Sequence, residues 1–239
     1  MALLPWLTGK VILIETETTN THRFWVEVQG ATSFDFKPGQ FVTLDLPIDT
    51  RPTRRYRSYS IASWPDGSNV FELLIVLNKT GAGTQYIFNE VQVGTELKFR
   101  GPLGVFVLPE ELNKDLILIC TGTGIAPFRS MLHYISNRQI PHKNIYLVFG
   151  TREQKDLLYY EEMKELQHTL KDFYFLPTLS RQQWEGHTGY VHAIYEAICK
   201  EKPDAQFYLC GWKNMVDEAR QKILDMGYDK KTIHLELYG

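Results

Sequence analysis

Up to about residue 107, apolar and polar positions alternate over short runs: "FWVEVQ" (24–29), "QFVTLDL" (40–46), "SYSIAS" (58–63), "FELLIVL" (71–77) and "ELKFRGPLG" (96–104). Alternation with period two puts successive side chains on opposite faces of a strand. Turn-forming residues punctuate the runs at "KPGQ", "WPDGSN" and "QVGT". Many short strands at this spacing predict an antiparallel barrel or sandwich. From about residue 115 the rhythm changes. Continuous apolar runs recur at 116–120, 145–150, 173–180, 207–211 and 233–238, separated by helix-length segments at 127–138, 156–168, 189–200 and 214–226. Strand–helix alternation predicts a doubly wound α/β parallel sheet. The seam falls near "VLPEELNKD" (107–115), so the chain divides into domains at 1–108 and 109–239.

Composition narrows the class. The 239 residues are 44% hydrophobic and 23% charged, as in an ordinary globular protein. No apolar run reaches the roughly 20 residues that span a bilayer. The opening "MALLPWLTGK" lacks a basic start and a long apolar stretch, and reads as the first residues of the mature fold. The three cysteines, Cys120, Cys199 and Cys210, form no metal-ligand spacing, and their odd number fits a reducing compartment, the cytoplasm. Residues 1–110 hold 10 Lys+Arg and 11 Asp+Glu, leaving 16 and 17 for the remainder. Neither part is a basic nucleic-acid-binding domain.

Against that balance, "RPTRRYRSYS" (51–60) gathers four arginines. On an alternating strand Arg57, Tyr59 and Ile61 share one face, and Ser58 and Ser60 the other. An aromatic ring two positions from a guanidinium suits a planar ligand that carries phosphates. "NKTGAGTQY" (78–86) offers Gly81, Ala82, Gly83 and Thr84 at a helix start, where backbone N–H groups and a hydroxyl cradle phosphate. Each stretch by itself also reads as an ordinary strand or loop; together they form a candidate site.

"CTGTGIAPFRSML" (120–132) is the sharpest stretch of the second domain. A strand ends, Gly122 and Gly124 allow close backbone approach, and Pro127 suits the first turn of a helix. Thr121 and Thr123 flank the glycines. This is a phosphate-binding βα turn or a plain tight one; Pro127 stands where the common dinucleotide fingerprint has its third glycine. Basic groups at the next strand tips favour the 2′-phosphate of NADP over the free ribose of NAD. Arg152 follows one tip; Ser180 and Arg181 follow the next.

Taken together these residues resemble the ferredoxin–NADP reductase family. The flavin motif Arg-x-Tyr-Ser matches Arg57–Ser60, the pyrophosphate motif Gly-x-x-Ser/Thr matches Gly81–Thr84, the nicotinamide-side glycine motif matches Thr121–Pro127, and the late Cys-Gly pair matches Cys210-Gly211. The resemblance covers nearly the whole chain. It implies an antiparallel β-barrel that binds FAD without a covalent link, followed by an α/β domain that binds NADPH, with NADH as the alternative. Hydride would pass between nicotinamide and flavin, and single electrons would pass to or from ferredoxin, flavodoxin or an oxygenase electron-transfer protein. Ile75 and Val76 join the flavin-side residues. Ser60 would bond near the flavin N5, and Cys210 would line the nicotinamide site.

The ending "IHLELYG" resembles the Glu-x-Tyr terminus of plastid-type members, which assigns Glu236 to proton movement and Tyr238 to the flavin ring; here Gly239 follows the tyrosine. "WEGHTGYV" (184–191) resembles oxygenase-associated reductases, many of them NADH-dependent, and Tyr190 falls where an adenosine-stacking tyrosine stands. Two further readings stay open: a flavin reductase that takes free flavin as substrate, and the reductase component of a multi-subunit oxygenase. Arg51, Arg54 and Arg55 shape the flavin's edge, dock an acidic protein or lie in solvent.

Overall fold

The computed structural model describes residues 4–238. Contacts divide it into two units: Met1–Val107 with Arg129–Tyr134, and Leu108–Phe128 with Ile135–Gly239.

The first unit is a six-stranded antiparallel sheet in the order β4-β3-β6-β1-β2-β5. Its strands are β1 (Leu7–Thr18), β2 (Thr21–Val28), β3 (Phe41–Asp45), β4 (Tyr56–Ser60), β5 (Val70–Val76) and β6 (Glu96–Leu103). An Ile61–Leu73 bridge brings the chain beyond β4 onto β5, so the two ends of the sheet meet and it closes as a barrel. The inward residues of the alternating runs fill it: Phe24, Val26, Val42, Leu44, Phe71, Leu73 and Phe99 belong to one buried cluster. Two helices join the strands, α1 (Pro52–Arg55) and α2 (Ala82–Glu90).

Five of these strands fall on predicted runs; β1 does not. Its "VILI" run hides a bulge between Val11 and Leu13, which turns Ile12 and Leu13 outward at 40% and 41% exposure. The period-two signal is broken by that extra residue.

The second unit is a six-stranded parallel sheet in the order β10-β9-β8-β7-β11-β12. It is built from β7 (Asp115–Thr121), β8 (Ile145–Thr151), α4 (Tyr160–Thr169), β9 (Phe173–Leu179), β10 (His187–Thr188), α5 (Val191–Ile198), β11 (Ala205–Trp212), α6 (Lys213–Asp225) and β12 (Ile233–Tyr238), with both ends of α3 (Ala126–Arg138), whose middle residues Arg129–Tyr134 count with the first unit. The chain runs outward from β7 through β8 and β9, then returns to β11 on β7's other side. Between β7 and β11 the strand order reverses, which is where such sheets bind ligands beyond the strands' carboxyl ends. Ile117, Ile119, Phe207 and Leu209 pack against Val191, Tyr195, Val216 and Ile223 of α5 and α6. Helix α4 begins four residues later than the predicted 156, because Leu157 and Leu158 are buried in the approach and Tyr159 is left-handed at φ 52°.

Candidate functional site

In the first unit, β3 pairs with β4 so that Leu44 faces Arg57, Thr43 faces Ser58 and Val42 faces Tyr59. The Arg57 guanidinium donates through Nη1 to the carbonyls of Arg54 (3.0 Å) and Tyr56 (2.8 Å). Its stem crosses the first turn of α2: a Cβ at Gly83 would lie 2.9 Å from the Arg57 Cγ and Nε. The two motifs, 24 positions apart by the numbering of Arg57 and Gly81, therefore share one place. The first N–H groups of a helix have no intrahelical partner, and Gly81 at the N-cap supplies no side-chain cap. A guanidinium beside such a helix start is a donor set for a pyrophosphate.

Around this cluster the predicted residues behave differently. Tyr59 packs against the barrel core, and burial pushes its phenol up to about 12 against a smaller opposing pull from Arg57. Ser60 is buried. The Ser58 hydroxyl lies 2.9 Å from that of Thr43, away from Arg57 along the strand's alternation. The Thr84 hydroxyl closes its own loop, donating to the carbonyls of Asn78 (3.0 Å) and Gly81 (3.2 Å) and accepting from the Asn78 N–H. The Ile75 side chain belongs to the barrel core, and Val76 is half-buried. The other arginines have carboxylate partners: Arg55 to Asp45 at 2.7 Å, Arg51 and Arg54 to Asp49 at 3.6 and 3.8 Å.

Sequence reasoning missed the support behind Ser60. Glu72, on β5, accepts from Arg129 (2.8 Å) and from Arg23 (2.7 Å). Arg129 also donates to the Ala62 carbonyl at 2.9 Å, and the Ala62 N–H donates to the Glu72 carbonyl at 2.8 Å. Both ends of the Ala62 peptide are thereby fixed, two residues beyond Ser60.

In the second unit, Thr121 ends β7, a 3-10 turn spans Gly122–Ile125, and Pro127 sits in the first turn of α3. The turn lies directly on β11. A Cβ at Gly124 would stand 2.4 Å from the Cys210 carbonyl oxygen, which only glycine avoids. Gly211, at φ +140°, lies against Thr121, whose Oγ1 is buried with no hydrogen-bond partner among the described residues. A buried hydroxyl without a partner is costly, and here it sits at the carboxyl end of β7, at the order reversal. The arrangement fits a dinucleotide: bare backbone, a helix start and a donor awaiting a partner.

Cys210 is fully buried one residue before Gly211. Burial first, and the Glu236 carboxylate second, hold its thiol well above the usual range, against a hydrogen bond from Tyr238. Its Sγ lies 4.0 Å from Glu236 Oε2, and β11–β12 pairing sets Cys210 beside Glu236 and Trp212 beside Tyr238. Such a thiol is a protonated packing group and not a nucleophile. Gly239 lies outside the described residues.

At the tips of β8 and β9 the ladder continues past the strands. Ser180 N–H donates to the Thr151 carbonyl and Arg181 N–H to that of Arg152, both at 2.9 Å, and Gln154 N–H to Gln182 Oε1 at 2.8 Å. The Ser180 hydroxyl also donates to the Thr151 carbonyl, at 3.2 Å. These loops border a cleft of about 540 Å³ lined by Glu153, Gln154, Lys155, Arg181 and Gln182. Arg181 is where the sequence set it; Arg152 contributes its carbonyl and does not line the cleft. Tyr190 is the N-cap residue of α5, 74% exposed. Glu153, Gln154 and Lys155 of "TREQK", just past the tip of β8, and Gln182 line the same cleft and were not singled out from the sequence.

A family model described as the oxidoreductase FAD-binding domain matches residues 8–108, and one described as the oxidoreductase NAD-binding domain matches residues 118–221. Ferredoxin–NADP reductase B of Sorangium cellulosum is 33% identical over 215 residues, covering 86% of each chain. The anthranilate 1,2-dioxygenase electron transfer component of Acinetobacter baylyi is 31% identical over 194 residues, 80% of this chain; the chain spans 55% of that longer relative. A ferredoxin NADP+ reductase from Neisseria gonorrhoeae, solved with bound FAD and NADP, shares the fold with a TM-score of 0.81 at 26% identity, covering 97% of this chain and 98% of that one.

Proposed function

The chain belongs to the ferredoxin–NADP reductase family, and from that premise we propose that it takes hydride from NADPH and delivers single electrons to a separate protein carrier. FAD, held without a covalent bond, supplies the conversion between a hydride and single electrons. The protein's own part is position and electrostatics. Arg57 and the N–H groups of Gly81–Thr84 hold the pyrophosphate, Tyr59 flanks the ring system with the backbone of Ile75 and Val76, and Ser60 offers a hydroxyl to the flavin N5. Ser58 supports the same strand through Thr43.

In the second unit, Thr121–Gly124 and Pro127 hold the dinucleotide, with Gly211 giving room beside them. Cys210, Glu236 and Tyr238 form the nicotinamide end. Cys210 packs, and Glu236 is the group there able to accept or release a proton. Ser180 and Arg181 bind the 2′-phosphate, Arg152 supports their loop, and Tyr190 offers a face to the adenosine.

The observation that carries this reading is the Arg57 stem lying across Gly83, which brings a guanidinium to a helix start. The carrier is ferredoxin, flavodoxin or the electron-transfer protein of an oxygenase. Similarity to a dioxygenase electron transfer component supports the last. All three cysteines are free and buried, which supports a cytoplasmic protein. No helix among the described residues is long and apolar enough to cross a membrane.

The test is to purify the protein, release and identify its flavin, and compare NADPH with NADH in a ferricyanide assay. One FAD per chain and a lower KM for NADPH are expected. A protein that stays colourless after adding FAD overturns the flavin assignment. One that loses flavin at each passage, yet reduces free flavin steadily, is a flavin reductase instead.

A further inference from the structure

The cleft at the tips of β8 and β9 has three charged side chains, and one has the wrong sign for a phosphate. Arg181 and Lys155 are positive, and Glu153 is negative. Lys155 Nζ sits 2.6 Å from Glu153 Oε2, with side-chain exposures of 69% and 41%. The backbones of the two loops are tied together, because Arg181 N–H is bonded to Arg152 and Gln182 to Gln154. Glu153 lines the same cleft as Arg181, and its carboxyl lies below the usual range through Lys155 first and Arg181 last. The acid thus pairs with the lysine and lines the same cleft as the arginine.

We propose that the Glu153–Lys155 pair sets the discrimination between NADPH and NADH; this rests on Ser180 and Arg181 binding the 2′-phosphate. A phosphate monoester carries close to two negative charges at neutral pH. Entering the cleft, it draws Lys155 away from Glu153 and leaves that carboxylate facing a like charge. NADH brings a 2′-hydroxyl instead, which donates to a carboxylate. Glu153 therefore favours NADH and restrains NADPH. Lys155 does the reverse, because its charge is useful only when a phosphate is present. The pair makes coenzyme choice moderate, where Arg181 alone would make it strong.

Glu153→Gln frees Lys155 and removes the repulsion while keeping a polar side chain of the same size. The ratio of KM for NADH to KM for NADPH is expected to rise about three- to fivefold, the scale of one exposed charge contact. Lys155→Gln is expected to lower that ratio by a similar factor. Both shifts should shrink in about 0.5 M salt, since the groups are exposed and screening is strong there; a change in loop packing would not follow salt in this way. Arg181→Ala, measured alongside, separates the two layers of the argument. If Arg181→Ala weakens NADPH selectively while Glu153→Gln leaves the ratio unchanged or lowers it, the assignment of Glu153 is overturned and the 2′-phosphate site stands. If Arg181→Ala weakens both coenzymes equally, the 2′-phosphate site is overturned, and the proposal with it.

Discussion

Arg129 donates to the Glu72 carboxylate at 2.8 Å, and the two side chains are 5% and 2% exposed. Both lie in the first unit, which takes in Arg129–Tyr134. Arg23 reaches the same carboxylate, and the Arg129 guanidinium also lies 5.4 Å from the centre of the Trp64 ring. A buried ion pair adds little over an apolar substitute, but breaking one side leaves an uncompensated charge.

Glu72→Gln is therefore expected to destabilise the protein by about 3–5 kcal/mol, because it breaks the buried pair with Arg129 and the contact with Arg23 at once. Arg129→Met should cost less, about 1.5–3 kcal/mol, the scale of a charged hydrogen bond, since Arg23 still neutralises Glu72. Urea unfolding of the two variants and the double variant checks this order. Costs that add in the double variant would mean that the two residues act independently, and an Arg129→Met cost equal to that of Glu72→Gln would overturn the order.

Arg57→Ala should weaken FAD retention by about 10- to 100-fold, the loss of a charged hydrogen bond worth about 1.5–3 kcal/mol. Lysine at the position should restore only part of it, because it lacks the planar fork. Flavin titration of the apoprotein gives the numbers. Unchanged affinity in Arg57→Ala would remove Arg57 from the pyrophosphate site.

Gly124→Ala places a methyl 2.4 Å from a backbone carbonyl, not from a yielding side chain. Overpacking of this kind costs about 1–3 kcal/mol. The shift pushes the turn off β11, so NADPH and NADH should weaken together while flavin content stays normal. A coenzyme-selective effect would contradict the placement.

His234 stacks on Tyr208 at 4.4 Å, its Nε2 lies 2.7 Å from Gln206 Oε1, and burial lowers its pKa from 6.5. A lowered folded-state pKa means that the unfolded chain binds more protons. The stabilisation is complete above about pH 6.5 and is lost as pH falls through the folded value. His234→Gln should flatten the fall in stability below about pH 6.5. An equally steep fall in that variant would assign the loss to other groups.

Much of this was legible because its causes are local. Five of the six strands of the first unit announced themselves by period, the second unit by alternating strand and helix, and the glycine turn by its own residues. The sequence leaves Arg51, Arg54 and Arg55 open between three readings, and their carboxylate partners are Asp49 and Asp45. What stayed hidden depends on pairing at a distance. Glu72 in "FELLIVL" reads as one polar position in a strand, and its partner Arg129 is 57 residues away. The hydroxyl partner of Ser58 is Thr43 on a neighbouring strand, although alternation already gives the face it points to. Glu153 and Lys155 gain meaning only when the loops after β8 and β9 run together beside Arg181.

Cys210 tests whether the nicotinamide end contains a reactive thiol. It stands beside Cys120 across the β7–β11 pairing, and both are fully buried. Burial is the first cause that raises each of the three thiols. Thiolate, not thiol, attacks a disulfide reagent. The native protein should therefore show no thiol to Ellman's reagent at about pH 8, below the ordinary thiol range of about 8.5, and three after unfolding. Glu236→Gln removes a charge that raises the Cys210 thiol, but burial remains, so its native count should also stay at zero. Tyr238→Phe removes a hydrogen bond that lowers it, so the thiol should become still less reactive. Cys210→Ser should keep measurable hydride transfer, because the position supplies volume and not a covalent step. A native thiol that reacts, and reacts faster in Glu236→Gln, would instead make Cys210 a titrating group of the site.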